Sequence, residues 1–264
     1  MNDGSAKNVL IEKMSSSVAI ITLNRPEAAN ALSKKLLFEF HGILQELKND
    51  GDIRAVILTG AGEKAFCAGA DLKERKEMSE NEARRTVRLI AGAVSELASL
   101  PQPVIAALNG AAFGGGMELA LACDLRIGSL NAQMGLTETS LGIIPGAGGT
   151  QRLPRLIGPG KAKELIFTAK RLNAREAESI GLLEYAVPAN QLQETALKWA
   201  ADIAKNAPLA LIQSKVAINK GLEVDLETGL KIEELAYSAL IPSQDRLEGL
   251  KAFAEKRPPV FKGR

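Results

Sequence analysis

One stretch decides the fold: Val104-Ile-Ala-Ala-Leu-Asn-Gly-Ala-Ala-Phe-Gly-Gly-Gly-Met-Glu-Leu-Ala-Leu-Ala122. Its apolar run predicts a buried strand over 104–109, its glycines predict a loop over 110–115, and the next apolar run predicts a short helix over 116–122. The three consecutive glycines let a ligand approach bare backbone N–H groups where the helix begins. Glu118 follows in the first turn among apolar neighbours, where a carboxylate is costly unless it is hydrogen-bonded or has a chemical role.

The same order of strand, loop and helix is predicted upstream. Residues 54–59 form an apolar run, 60–69 are rich in glycine, and a long charged helix over 80–99 is ended by Leu100-Pro-Gln-Pro103. The two copies share little sequence, so the repeat is structural. It predicts an α/β fold in which a β-β-α unit is wound into stacked layers, with the glycine loops on one face.

The flanking regions complete the organisation. Residues 9–13 and 18–24 predict a hairpin around Ser15-Ser-Ser17, 33–48 predict an amphipathic helix, and 125–128 predict a further strand. After Gly146-Ala-Gly-Gly149 the chain is helical in pattern over 149–156, 159–168, 174–179, 191–206, 209–219, 226–239 and 245–256. We therefore divide the chain into a core with the active site, 1–190, and a C-terminal helical region, 191–264, which packs on the core or on another subunit.

Composition restricts the classes of function. With 264 residues, 46% of them hydrophobic and 24% charged, the chain can bury a large core. Its net charge of +2 is too small to indicate nucleic acid. No apolar run reaches the ~18 residues that span a bilayer. The first eight residues lack a targeting pattern, and the two cysteines, Cys67 and Cys123, have no metal-ligand spacing. These features predict a cytoplasmic protein with reduced cysteines and no metal.

A second glycine loop resembles the first in layout. Ala65-Phe-Cys-Ala-Gly-Ala-Asp-Leu-Lys73 follows a predicted strand and precedes a predicted helix. If the two loops are neighbours, the N–H groups of Ala70 and Gly115 converge on one oxygen. Such a donor contributes ~3–4 kcal/mol to an enolate-like transition state. The alternative, that both loops are only tight turns, stays open at this point.

Glu138 supplies a second carboxylate, twenty positions after Glu118, in Leu136-Thr-Glu-Thr-Ser140. Two carboxylates facing one water and one carbon suit general acid–base addition of H and OH. The other interpretation is that Glu138 lies in a solvated turn. For Glu118, burial would raise the pKa and the helix N-terminus would lower it, and the sequence does not decide between them.

Other motifs are weaker evidence for a functional site. Gly60-Ala-Gly-Glu-Lys-Ala65 imitates a dinucleotide fingerprint, but the required helix and acidic residue do not follow. His41 is the only histidine and is predicted to be a surface residue, so neither a serine nor Cys67 has a partner base. Acidic residues on the same predicted helix offset the positive charge of Lys34 and Lys35, so RNA binding is a distant alternative.

Further stretches carry a resemblance to a known family: Leu23-Asn-Arg-Pro-Glu-Ala-Ala-Asn-Ala31, Ala68-Gly-Ala-Asp71, Cys123-Asp124 and Ile144-Pro-Gly-Ala-Gly-Gly-Thr-Gln-Arg152. With the glycine loop and both glutamates, the chain resembles the enoyl-CoA hydratase/isomerase (crotonase) superfamily over nearly its whole length. Its end, Asp245-Arg-Leu-Glu-Gly249 through Glu255-Lys-Arg-Pro-Pro259, looks like the methylglutaconyl-CoA hydratase branch.

The resemblance implies a crotonase-like spiral of β-β-α units with a C-terminal trimerisation region, assembled as a homotrimer or a dimer of trimers. It implies a lyase, a 2-enoyl-CoA hydratase of fatty-acid (β-oxidation) or branched-chain acyl-CoA breakdown. A double-bond isomerase is the alternative; the presence of both glutamates favours hydration. No cofactor is expected, because coenzyme A is part of the substrate.

The resemblance also implies roles for individual residues. The thioester oxygen would lie between the N–H groups of Ala70 and Gly115. Glu118 would deprotonate the water that attacks C3, Glu138 would protonate C2, and the Gly146 N–H would position that water. The residues expected to bind coenzyme A are Ala68, Ala70, Asp71, Leu72, Lys73 and, from a neighbouring subunit, Lys256.

Overall fold

A computed structural model of the chain describes residues 7–15 and 17–264. Its strands are β1 Val9–Met14, β2 Val18–Leu23, β3 Ala55–Gly60, β4 Ala65–Cys67, β5 Val104–Leu108, β6 Ala111–Phe113, β7 Leu125–Ser129, β8 Gln133–Gly135, β9 Leu172–Asn173 and β10 Tyr185–Val187. Its helices are α1 Lys34–Lys48, α2 Leu72–Lys76, α3 Glu80–Ala98, α4 Gly115–Ala122, α5 Gly149–Ile157, α6 Pro159–Phe167, α7 Ala174–Ser179, α8 Leu192–Ala204, α9 Pro208–Gly221, α10 Leu226–Ser238 and α11 Gln244–Ala254.

The strands form two sheets. A six-stranded sheet has the order β1-β2-β3-β5-β7-β10 and is parallel except for the β1–β2 hairpin. A four-stranded sheet has the order β4-β6-β8-β9, in which only β9 is antiparallel. The predicted hairpin is confirmed, although residue 16 of its turn lies outside the described residues, as does the N-terminal segment 1–6.

The predicted β-β-α repeat is confirmed. The pairs β3/β4, β5/β6 and β7/β8 each contribute their first strand to the larger sheet and their second to the smaller one. The prediction that 60–69 and 110–115 are loops throughout was wrong, because β4 and β6 lie inside them. Both strands have three residues. A strand that short contains too few alternations to show a periodic pattern.

The larger sheet is buried on both faces, which explains its nearly continuous apolar strands. Along β2, Ile21 packs into the main core with α1, α3 and α4, whereas Ile20 points into a second cluster. Helix α8 covers that second face with Leu192, Ala196, Ala200 and Ala204. The helix therefore completes the sheet, and the division of the chain near residue 190 stays a prediction.

The last three helices expose a large apolar surface. Side chains of α9–α11 and their connections that are at least half exposed are Ile218, Leu222, Leu226, Leu230, Leu235, Tyr237, Ile241, Leu247, Leu250 and Phe253. Helix α9 is anchored to the core by Lys215, whose Nζ lies 2.7 Å from Asp124 Oδ2. In the part of the chain that the structure describes, every helix is too short or too polar to cross a bilayer.

Candidate active site

The fold brings the two glycine loops together. β4 and β6 are parallel neighbours, so the loops that follow them leave the same edge of the smaller sheet. A methyl group added to Gly115 would lie 3.8 Å from the Ala70 nitrogen, and one added to Gly69 would lie 3.2 Å from the Gly115 nitrogen. Hydrogen bonds among residues 7–15 and 17–264 assign no loop or strand acceptor to either amide, Ala70 or Gly115. The two amides are therefore close together and without an assigned acceptor among the described residues, and their binding of one ligand oxygen stays a prediction.

The glycines of this loop are required by geometry. Gly114 has φ 51° and ψ −125°, a conformation that is essentially restricted to glycine. A methyl group on Gly116 would collide with the carbonyl oxygen of Cys67, because α4 packs directly against β4. The loop thus lets α4 begin close to the strand and aims its first N–H groups at the edge of the sheet.

Glu118 is buried, with 3% of its surface exposed, and is held by backbone amides. Its Oε1 accepts hydrogen bonds from the N–H groups of Ala147, at 2.7 Å, and Gly149, at 2.8 Å. These amides belong to the glycine loop at the beginning of α5. No hydrogen bond in the described part of the chain involves the other oxygen, Oε2. The water-binding role of Gly146 stays a prediction, since the amides that reach Glu118 belong to other residues of this loop.

Burial raises the pKa of Glu118, while the amides of Gly149 and Ala147 and the charge of Arg152 act to lower it. Arg152 also donates a hydrogen bond to the Ala147 carbonyl oxygen, at 3.0 Å. This arginine therefore stabilises both the carboxylate and the loop that binds it. No role for Arg152 was predicted from the sequence. The feature of the sequence that could have indicated a role for Arg152 is its position one helical turn after Gly148, on the helix that follows the glycine loop.

Glu138 is also buried, at 9% exposed, so the interpretation of 137–139 as a solvated turn was wrong. It begins a 3-10 helix, Glu138–Leu141, and a methyl group on Gly114 would lie 3.2 Å from its Oε1. Its Oε2 has no hydrogen-bond partner among the described residues. Burial, together with the nearby charge of Glu118, raises the pKa of Glu138 to about 7, although its own amide and Arg75 oppose the rise.

The residues expected to bind coenzyme A begin at the same loop. Ala68 and Lys73 are exposed, and Leu72 is 63% exposed. The Asp71 carboxylate caps α2 and forms an ion pair with Arg25 at 3.0 Å. Lys256 is exposed just after α11. The coenzyme A contacts of these residues stay predictions.

The residues that were not predicted to be catalytic are either exposed on the surface or, in the case of Cys67, buried and unreactive. His41 is exposed, and its Nδ1 lies 2.7 Å from Glu96 Oε2. Cys67 is fully buried, and burial raises the pKa of its thiol to about 12, so it stays protonated. Lys34 and Lys35 are exposed at the start of α1. The predictions of a surface histidine and a packing cysteine are confirmed.

The site therefore combines two unlike carboxyl groups with two free amides. Burial raises the pKa of both carboxyl groups, to about 7 for Glu138, whereas for Glu118 two backbone amides and the charge of Arg152 act against the rise. Paired titratable groups in different environments are typical of an acid and a base that act on one substrate. The arrangement can stabilise an oxyanion while one proton is removed and another is delivered.

Comparison with known proteins places this geometry in a family. The family described as enoyl-CoA hydratase/isomerase matches residues 13–264. Human methylglutaconyl-CoA hydratase, mitochondrial, is 48% identical over 257 residues, which cover 96% of this chain and 76% of that protein. Short-chain-enoyl-CoA hydratase of Clostridium acetobutylicum is 48% identical over 250 residues, 95% of each chain. The crystal structure of enoyl-CoA hydratase from Bacillus anthracis has a TM-score of 0.96 at 54% identity and covers 97% of this chain and 100% of that one.

Proposed function

Since this chain belongs to the enoyl-CoA hydratase/isomerase family and has the crotonase fold, we propose that it is a 2-enoyl-CoA hydratase. The reaction is the reversible addition of water across the C2–C3 double bond of an enoyl thioester. The observation that carries the proposal is the pair of buried carboxyl groups, Glu118 and Glu138, beside the same glycine loop. A reaction that only moved a double bond would not require both a base for water and a separate acid.

In the proposed mechanism, the thioester oxygen accepts hydrogen bonds from the N–H groups of Ala70 and Gly115. These donors follow two paired strands, so the fold already orients them when negative charge develops on that oxygen. Withdrawal of electron density from the carbonyl makes C3 electrophilic. The same two amides stabilise the enolate that forms when the C3–O bond is made.

Glu118 is the proposed base. Its Oε1 is held by two amides, which leaves Oε2 to accept a proton from the attacking water, and the Gly146 N–H is proposed to orient that water. Glu138 is the proposed acid and gives its proton to C2 as the enolate collapses. Water is thus divided into OH at C3 and H at C2, with one proton gained by Glu118 and one lost by Glu138. Because both groups border one loop, we propose that they act on one face, which makes the addition syn.

No cofactor is needed for this chemistry, because the acid, the base and the oxyanion donors all come from the chain. We propose that coenzyme A, as part of the substrate, follows Ala68 and the segment 70–73. Lys73 and Lys256 of the partner subunit would meet its phosphates as compact cations.

A homotrimer, or a dimer of trimers, is the proposed assembly. The support is the apolar surface of α9–α11, which includes Phe253 at 86% exposed and Leu222 at 79% exposed. Apolar surface of this extent is typical of a protein–protein interface. The cytoplasmic location also stays a prediction, since some relatives are mitochondrial by name.

The test is a hydration assay with crotonyl-CoA on Glu118→Gln and Glu138→Gln, with the exposed Glu194→Gln as control. We expect each active-site variant to lose about 10²–10⁴-fold in kcat, the usual contribution of a positioned acid or base. Binding of the saturated analogue butyryl-CoA should survive in both. Normal turnover by either variant would refute the role of that glutamate.

The same assay distinguishes the competing activities. If a 3-enoyl-CoA yields the 2-enoyl isomer and no hydroxyacyl product, the protein is an isomerase. Salt-sensitive RNA binding that depends on Lys34 and Lys35, without any thioester turnover, would indicate the RNA-binding alternative. A panel of crotonyl, long-chain enoyl and methylglutaconyl thioesters determines the acyl preference.

A further inference from the structure

The turn that carries Glu138 has few anchors to the rest of the protein. Glu138 begins the 3-10 helix Glu138–Leu141, and the apolar side chains that follow are exposed, Leu141 by 61% and Ile144 by 69%. The backbone N–H groups that bond within this segment reach no other element, because their acceptors are residues 137–139. Glu138 is nevertheless buried, and a methyl group on Gly114 would lie 3.2 Å from its Oε1. The turn therefore needs an anchor other than the packing of its apolar side chains.

Thr139 provides that anchor. Its Oγ1 donates a hydrogen bond to the carbonyl oxygen of Ile166, at 2.6 Å, near the end of α6. The last carbonyl groups of a helix have no intrahelical partner. Here the N–H of Lys170 bonds to Leu165, so the Ile166 carbonyl keeps only a long bond from Ala169, at 3.3 Å, and can accept from Thr139. Among the described residues, no other hydrogen bond connects this turn to another element.

The same helix connects the turn of Glu138 to the support of Glu118. Helix α6 packs against α5 as well as against the 3-10 helix. The glycine loop and the first residue of α5 donate the amides of Ala147 and Gly149 that hold Glu118. The Thr139 hydroxyl therefore ties one carboxyl group to the pair of helices that supports the other.

We propose that Thr139 is a positioning residue, whose hydrogen bond to the Ile166 carbonyl keeps the Glu138 carboxyl buried beside the glycine loop. The proposal rests on the proposed hydratase function, in which Glu138 is the acid. Without the hydroxyl the turn is held less firmly, and water reaches the carboxyl more often. Burial is the largest cause of the raised pKa of Glu138, so this pKa should fall. The charges that act on Glu138 belong to Glu118 and Arg75, and Thr139→Val changes neither.

Thr139→Val tests this, because it removes the hydroxyl and keeps the branched shape. Glu138 must be protonated in the proposed reaction, so the alkaline limb of the kcat/KM profile for crotonyl-CoA reports its pKa in the free enzyme. Relative to the wild type, kcat/KM of the variant should be lower at pH 8 than at pH 5 by roughly 3–10-fold, the usual effect of one hydrogen bond. Thr139→Ser, which keeps the hydroxyl, should behave like the wild type. Thr168→Val is the matched control and should leave the profile unchanged, since it removes an exposed hydroxyl that donates to the Glu164 carbonyl oxygen of the same helix, at 2.7 Å.

A carboxyl-carbon NMR titration of Glu138 without substrate separates this inference from the hydratase proposal. The signal is assigned by its loss in Glu138→Gln. Its midpoint should lie at lower pH in Thr139→Val than in the wild type, whether or not either protein turns over a thioester. Normal turnover by Glu138→Gln would refute the acid role and leave the midpoint comparison standing. An unchanged midpoint would overturn the inference, as would an equal loss of kcat/KM at both pH values accompanied only by a lower Tm.

Discussion

Replacing Glu138 by glutamine should stabilise the protein, by an amount that grows as the pH rises from about 4.5 to about 7 and is then constant. Burial raises the pKa of this carboxyl from 4.5 to about 7. When the folded-state pKa of an acid is raised, the unfolded chain loses the proton first, so the wild type loses stability as the pH rises from about 4.5 to about 7. The separation of the two pKa values corresponds to about 3 kcal/mol. Glutamine has a similar shape and does not ionise, so Glu138→Gln avoids this cost.

The expected result is that the Tm difference between Glu138→Gln and the wild type depends on pH. At pH 8.5 the Tm of Glu138→Gln should exceed that of the wild type by about 6–12 °C, at about 2–4 °C per kcal/mol for a chain of this size. At pH 4.5 the two proteins should melt together. Thermal melts at both pH values measure this, with Glu194→Gln as an exposed control. Equal gains at both pH values, or a less stable variant at pH 8.5, would refute the assignment of a raised pKa.

Three further changes test the supporting structure. Gly116→Ala should destabilise the fold by about 3 kcal/mol through overpacking against β4, whereas Gly92→Ala, whose methyl group meets open space in α3, should stabilise it by about 0.5–1 kcal/mol; thermal melts of both decide. Arg152→Met should move the acid limb of the kcat–pH profile to higher pH, because the arginine charge lowers the pKa of Glu118; an unmoved limb contradicts this. Arg126→Met should lower the free energy of unfolding in urea by about 1–3 kcal/mol, because this 4% exposed arginine donates to the buried carbonyl oxygens of Leu182 and Cys123 and pairs with the partly exposed Glu184 at 2.7 Å; a loss below about 0.5 kcal/mol would contradict this.

Long apolar runs allowed much of the fold to be predicted from the sequence. Strands such as β3 and β5 are buried on both faces, and a long helix such as α3 repeats its apolar positions, so both leave clear patterns in the chain. The three-residue strands β4 and β6 leave none. They form because the larger sheet and α4 hold them side by side, which is a consequence of packing rather than of local preference.

For the site, the sequence by itself determined which groups are present: two glycine loops and two acidic residues, of which only Glu118 has apolar neighbours in the chain. Only the tertiary structure decided their hydrogen bonds, their burial and the direction of their pKa shifts. Glu118 is held by amides about thirty residues further along the chain, and Glu138 gains its raised pKa from burial by elements distant in sequence. Desolvation and long-range hydrogen bonds depend on how elements pack in space, and the order of residues does not record that packing.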